Sequence, residues 1–465
     1  MNEKYLEYVK GKLEGNFDVK FRELKVNKGI IRLIFIDNLC DSKFISQYIM
    51  APIINSTNIT DGDMVKAKIL EANSIGVVKS QDDALIHILS GDVIIISDFY
   101  KEIIFCEAKG YVRRSVSIPI TENVVKGPRE GFTEAFVDNV SMLRRKIKNP
   151  DLKFETGYLG KKSNTVVVIS YIKYVAPESL VKYIKDQLNS VDEDFILESN
   201  YIEEKIRCKS TAFDTVGYSE KPDVVASKIF EGRIAIIVDG TPFVMTAPYF
   251  FIENFQMPDD YYFNNYIANT TRAVRLIGFS IAMFLPAVYI ALTTYHFSLI
   301  PQAFVFRLAV ARSGVPFPTI VELIIMSFFF QILREAGIRL PQPVGQSMSI
   351  VGALILGDAA VGAGLASQGT LIIVALSSIS LFLVSKLYGA ITIWSLVLII
   401  FSTILGLPGF YIGFFVLISH LAGLNSCGYP YLFPGGTVNS FKFKDLLSRG
   451  YLNEISNTIF DKGEK

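Results

Sequence analysis

Residues 276–295 read LIGFSIAMFLPAVYIALTTY, twenty consecutive residues without a charge. As a helix rising 1.5 Å per residue, such a segment reaches about 30 Å, the thickness of the hydrocarbon core of a bilayer. Pro286 predicts a kink within it. The scarcity of charge extends far beyond this segment. Between Leu276 and Phe441 only eight charged residues occur: Arg307, Arg312, Glu322, Arg334, Glu335, Arg339, Asp358 and Lys386. A soluble stretch of ~165 residues carries about forty at the usual quarter. The C-terminal third therefore reads as a polytopic α-helical membrane domain.

Further apolar segments follow at Leu387–Leu405, Leu407–Leu424, Ile350–Ala366 and Thr370–Val384, with a shorter one at Thr319–Leu333. Counting all six predicts six spans, with five as the alternative. With the N-terminal part inside, Arg272, Arg275, Arg334, Arg339, Lys386, Lys442, Lys444 and Arg449 all fall on the inner side, as the positive-inside rule requires. Arg307 and Arg312 do not, and their amphipathic segment, residues 304–318, is expected along the interface. Over all 465 residues, 46 Lys and Arg oppose 45 Asp and Glu, a net charge of +1. No global basic field points to nucleic acid as a partner.

The first 271 residues carry ordinary charge and read as two α/β lobes. Buried-strand runs occur at Gly29–Asp37, Asp92–Ser97, Lys101–Glu107, Thr165–Tyr171 and Arg233–Asp239. Helical patterns lie at Phe132–Ile147, Pro177–Leu188 and Pro222–Phe230, the last two opening on proline. The Lys148–Asp151 turn divides the lobes, so the expected units are 1–148, 149–271, the membrane domain 272–441 and a tail 442–465. No internal repeat is evident. The charged N-terminus lacks a signal-peptide core, which predicts a cytosolic soluble part.

Catalytic chemistry finds no foothold. Cys40, Cys106, Cys208 and Cys427 are widely spaced, and His87, His296 and His420 are isolated, so neither a disulfide framework nor a metal site is expected. No nucleophile elbow, phosphate loop or zincin motif occurs, and no cofactor is implied. Gly127-Pro128-Arg129-Glu130-Gly131 and Asp239-Gly240-Thr241-Pro242 read as structural turns. The informative polar residues are those inside apolar spans, where a carboxylate costs about 2.5–3.5 kcal/mol. Glu322 and Asp358, with Gln331, are the pore candidates, and Glu322 is expected to face water. Small residues recur four apart between Gly352 and Gly369, favouring close helix packing or an oligomeric ring.

Two blocks carry a resemblance: Val315-Pro316-Phe317-Pro318, then Leu333 to Pro341 (LREAGIRLP) with Gly345 and Ser349 to Leu354. They resemble the membrane core of the A subunits of spore germinant receptors. Lys126 to Glu130, Glu134, Asn139 and Arg144, then Glu220 to Asp223 and Glu231 to Pro242, are similar to that family's soluble lobes. The resemblance implies an inner-spore-membrane receptor subunit, not an enzyme. Its implied partners are B and C subunits, further copies of itself, membrane lipid and conducted cations. Arg334, Glu335, Arg339 and Pro341 are then gating or coupling candidates, forming an elbow after a short span. The chain departs from the family pattern at Lys221, Ser327, Gln331, Asp358 and residues 389–394. A stand-alone paralogue and a secondary transporter are the alternatives.

Overall fold

Strand β2, Gly29–Ile36, pairs antiparallel with β1, Val19–Val26, over their full lengths. In the computed structural model of the chain, residues 2–56, 59, 61–72, 74–110, 119, 122–340, 355–435 and 445–455 are described. With β3 (Ile75–Val77), β4 (Asp92–Ser97) and β5 (Ile104–Glu107), the first sheet has the order β1-β2-β4-β5-β3, antiparallel throughout. One face is covered by the Asn2–Leu13 and Gln81–Leu89 helices, through Val9, Leu13, Leu85 and Ile88. The other face is covered by the helical run around Ile45–Met50 and Val65–Ile69. Buried on both faces, β4 has no polar side to show, which is why its run Val93–Ile96 is apolar throughout.

The second sheet repeats this plan. Strands β6 (Leu152–Leu159), β7 (Thr165–Ile172), β8 (Gly217–Ser219), β9 (Ile234–Val238) and β10 (Val244–Ala247) pair in the order β6-β7-β9-β10-β8, again antiparallel. Nine-residue helices Gln81–Leu89 and Pro222–Phe230 occupy the same place before the fourth strand of each sheet. Each is followed by a glycine at positive φ, Gly91 and Gly232, and Asp82 and Asp223 precede these by nine residues. The expectation of no internal repeat is therefore corrected. The duplication is one of topology.

The Phe136–Lys146 helix lies before the expected boundary at residue 148, yet it buries Val140, Leu143 and the following Ile147 against the second sheet. Its Arg144 reaches back to the first lobe. Fully buried, it donates to both oxygens of Asp18, at 2.9 and 2.7 Å, and lies over the Phe154 ring.

The Asn265–Thr294 helix starts on an Asn264 cap and contains Pro286. It packs against the Gln368–Phe382 and Tyr388–Leu405 helices, and the latter turns at Gly406 into the Leu407–Gly423 helix. Their shared core of Met283, Ile290, Met326, Val374 and Leu398 is continuous with Phe213 and Phe255 of the soluble side. Against the six expected spans, two described helices are long and apolar enough to cross a membrane, Asn265–Thr294 and Ser385–Leu405. Gln368–Phe382 and Leu407–Gly423 are shorter apolar helices. The first five residues of the expected span at 350–366 lie outside the described residues.

Candidate functional site

Thr319–Arg339 is one helix of 21 residues, so the expected elbow at Arg334–Pro341 is corrected. Arg334, Glu335 and Arg339 are helical, and Arg339 Nε donates to Glu335 Oε1 at 3.0 Å in an exposed i,i+4 pair. Arg334 instead stacks its guanidinium 3.2 Å from the centre of the Tyr388 ring. Pro341 lies outside the described residues.

Glu322 differs most from its expectation. It is 0% exposed. Its Oε2 accepts from the Ser367 backbone N–H and the Thr370 hydroxyl, both at 2.9 Å, at the N-terminus of the Gln368–Phe382 helix. Arg312, from the Gln302–Arg312 helix, stands 3.4 Å from Oε1. A carboxylate placed against a helix N-terminus and an arginine is neutralised locally. Glu322 thus ties three helices together, and in this chain it does not face water. Asp358 does the opposite: it lies exposed in the helical segment 355–362, while Gln331 is half-buried.

The densest charged site lies elsewhere, where the second lobe meets the first turns of the Asn265–Thr294 helix. Arg272 is fully buried; it donates to Asp260 Oδ2 at 3.2 Å and to Asp445 Oδ1 at 2.7 Å. Arg275 pairs with the other oxygen of Asp260. Arg449 donates to the Asp260 carbonyl at 2.6 Å, and Tyr261 donates its hydroxyl to Asp445 Oδ2 at 2.6 Å. Burial and the Asp445 carboxylate push the Tyr261 phenol well above its ordinary value, keeping it a donor. A second knot sits one step closer to the lobe. Glu253 accepts from Lys228 Nζ at 2.6 Å and pairs with Arg233, which also donates to the Pro248 carbonyl at 3.0 Å. Burial opposes ionisation of Glu253, but the two cations outweigh it and hold the carboxyl below the usual range.

The Gly127–Gly131 loop, read as a plain turn, is wedged into this joint. Lys221, fully buried, donates to the Pro128 carbonyl at 2.6 Å and lies over the Tyr262 ring. Gly127 has φ +121°, and a Cβ there would stand 2.5 Å from that same ring. Glu122, at the start of this stretch, accepts from Ser219 and faces Lys386 Nζ at 3.5 Å. Lobe, helical core and C-terminal segment thus meet through these side chains.

The family model of the Bacillus/Clostridium GerA spore germination proteins matches residues 7–458. The chain belongs to the GerA family. It is 38% identical over 450 residues to spore germination protein KA of Bacillus subtilis (strain 168), covering 95% of this chain and 83% of that one. Spore germination protein GerLA of Bacillus cereus is 32% identical over 92% of this chain and 88% of its own length. Among solved structures, the N-terminal domain of the A subunit of the Bacillus megaterium germinant receptor GerK3 aligns with 53% of this chain at 30% identity and a TM-score of 0.40.

In this GerA-family chain the joint ties the second lobe, the Asn265–Thr294 helix and the C-terminal segment together through buried ion pairs. Arg272 and Arg275 stand out in the sequence only as positive-inside markers, because their acidic partners Asp260 and Asp445 lie up to 173 residues away. The usable signal was the cluster of Asp259, Asp260, Arg272 and Arg275 immediately before a span, where unpaired charge has little reason to gather.

Proposed function

We propose that this chain is the A subunit of a nutrient germinant receptor in the inner membrane of the spore, working with B and C subunits. In this proposal its α/β lobes lie on the cytosolic side and its helical part crosses the bilayer. Copies assemble around a path for cations, and the protein is a conducting subunit rather than an enzyme. Family membership supports the germination role. Support for the membrane setting comes from the two long apolar helices and from Ile277, Ile372, Ile379, Ile404 and Phe415, all exposed on the helical part.

The observation that carries the coupling is the buried ion-pair network of Asp260, Arg272, Arg275 and Asp445. It is the polar connection through which a displacement of the second lobe reaches the membrane helix. Asp358 is the acidic residue best suited to a cation path. Left exposed on a mostly apolar segment, it would be costly against lipid, and assembly around an axis gives it water or a partner copy. Spores carrying Asp445→Asn or Asp260→Asn as their sole copy are expected to release potassium at least tenfold more slowly after nutrient addition, with subunit levels by immunoblot above half of the parent's. Asp445 is partly exposed, so its variant is the gentler of the two. Unchanged release from both variants at normal subunit levels would remove the network from the coupling path.

A further inference from the structure

The joint described above encloses a cavity of about 810 Å³ between the Pro222–Phe230 helix, residues 256–262, Lys386 and the C-terminal segment. This is ample for a small organic ligand. Five carboxylates line it: Glu122, Asp223, Glu231, Glu253 and Asp445. Four are matched at close range, by Lys386 at 3.5 Å, Arg233 at 3.1 Å, Lys228 at 2.6 Å and Arg272 at 2.7 Å. Asp223 is not. Its nearest cation, Lys221 Nζ, stands 3.7 Å away and is already engaged by the Pro128 carbonyl. Among the described residues, no other residue donates a hydrogen bond to the Asp223 carboxylate, whose Oδ1 is buried without one.

The Asp223 side chain keeps some exposure, but its Oδ1 is buried without a donor, and a charged donor entering the cavity would supply the missing bond. Burial raises the Asp223 carboxyl above its usual range, against the pull of Lys221, in keeping with that deficit. No group of three or more His, Cys, Asp or Glu among the described residues could hold a metal ion. The fitting donor is therefore organic. Tyr218 and Tyr262 add aromatic lining, and Phe230, Met257 and Leu452 offer apolar wall to a short carbon chain.

We propose that this cavity binds a small ligand through a primary ammonium group, with Asp223 as its counter-charge. That group is presented both by a free aliphatic amine and by the ethanolamine headgroup of a phospholipid. The cavity lies beside the first turns of the Asn265–Thr294 helix, within reach of both sources.

The test uses the full-length protein purified in detergent, with thermal unfolding followed during titration with ethylamine or with ethanol, its uncharged isostere. A second arm compares nanodiscs of phosphatidylglycerol alone with nanodiscs that also contain phosphatidylethanolamine. Stabilisation is expected from the amine, or from the ethanolamine lipid, with at least tenfold weaker apparent affinity in Asp223→Asn. Ser227→Trp, placed at an exposed position of the same helix lining the cavity, should abolish the response by filling the space. A response to free amine assigns a soluble ligand, and one confined to ethanolamine nanodiscs assigns a lipid. Equal stabilisation by ethanol, a response unchanged in both variants, or no response in either arm would overturn the proposal. Neither arm measures ion release, so the receptor proposal and this one fail independently.

Discussion

A carboxylate on an apolar helix has three outlets: pairing, snorkelling or water. Glu322 takes the first, because the turn at Ser367–Thr370 brings unsatisfied helix N–H groups to it and the Gln302–Arg312 helix ends on an arginine beside it. Neither partner is within helical reach of Glu322 in the sequence, so the pairing was not legible there. Glu322→Gln leaves Arg312 without its counter-charge, and a loss of about 3 kcal/mol is expected, the low end for breaking a buried pair because Arg312 keeps some exposure. Thermal unfolding in detergent reads this directly. Asp358→Asn should leave the same midpoint within about 0.5 kcal/mol, as surface substitutions do, while slowing potassium release from spores. If instead Glu322→Gln is neutral for stability and slows release, the two acids have exchanged roles.

At the scale of elements, the segments best anticipated are those whose chemistry is local. The Pro222–Phe230 helix begins on its proline, and β4 is apolar on both faces because both are covered. Strands β1 and β6 went unread because they are sheet edges, with exposed stretches of mixed polarity. The presumed elbow at Arg334 failed for a similar reason. Gly337 is tolerated inside the helix, and the chain leaves helical geometry only at Leu340, where the following Pro341 disfavours it. Close contact decides the Tyr388–Leu405 and Leu407–Gly423 hairpin. A Cβ on Gly409 would stand 2.0 Å from the Phe401 carbonyl oxygen, a backbone atom that cannot swing aside, whereas one on Gly413 would meet the Leu398 side chain at 3.0 Å. Gly409→Ala is therefore expected to empty the membrane fraction of folded subunit, and Gly413→Ala to retain most of it, by immunoblot and limited proteolysis.

For the whole molecule, direct contact of Asp445 and Arg449 with Arg272 and Asp260 puts both ends of the helical part on one side of any bilayer. The number of crossings between them is then even, which speaks against five and is met equally by two, four or six. In a cysteine-free background, Lys161→Cys and Ser448→Cys should both be protected from a membrane-impermeant maleimide in right-side-out cells and both react in inverted vesicles. Opposite labelling would break the joint as described. Composition and periodicity alone determined that a charged α/β part precedes a charge-poor helical part, because burial in lipid or under helices leaves its mark on every residue of a segment. They also marked where most central strands and most helices of the second lobe lie. Only the tertiary structure decided that the two lobes share one topology, that Glu322 is a tie between helices, and that Asp260, Arg272 and Asp445 meet in one buried network. Those facts rest on pairings between residues tens to hundreds of positions apart, and a pairing of that range leaves no local pattern in the chain.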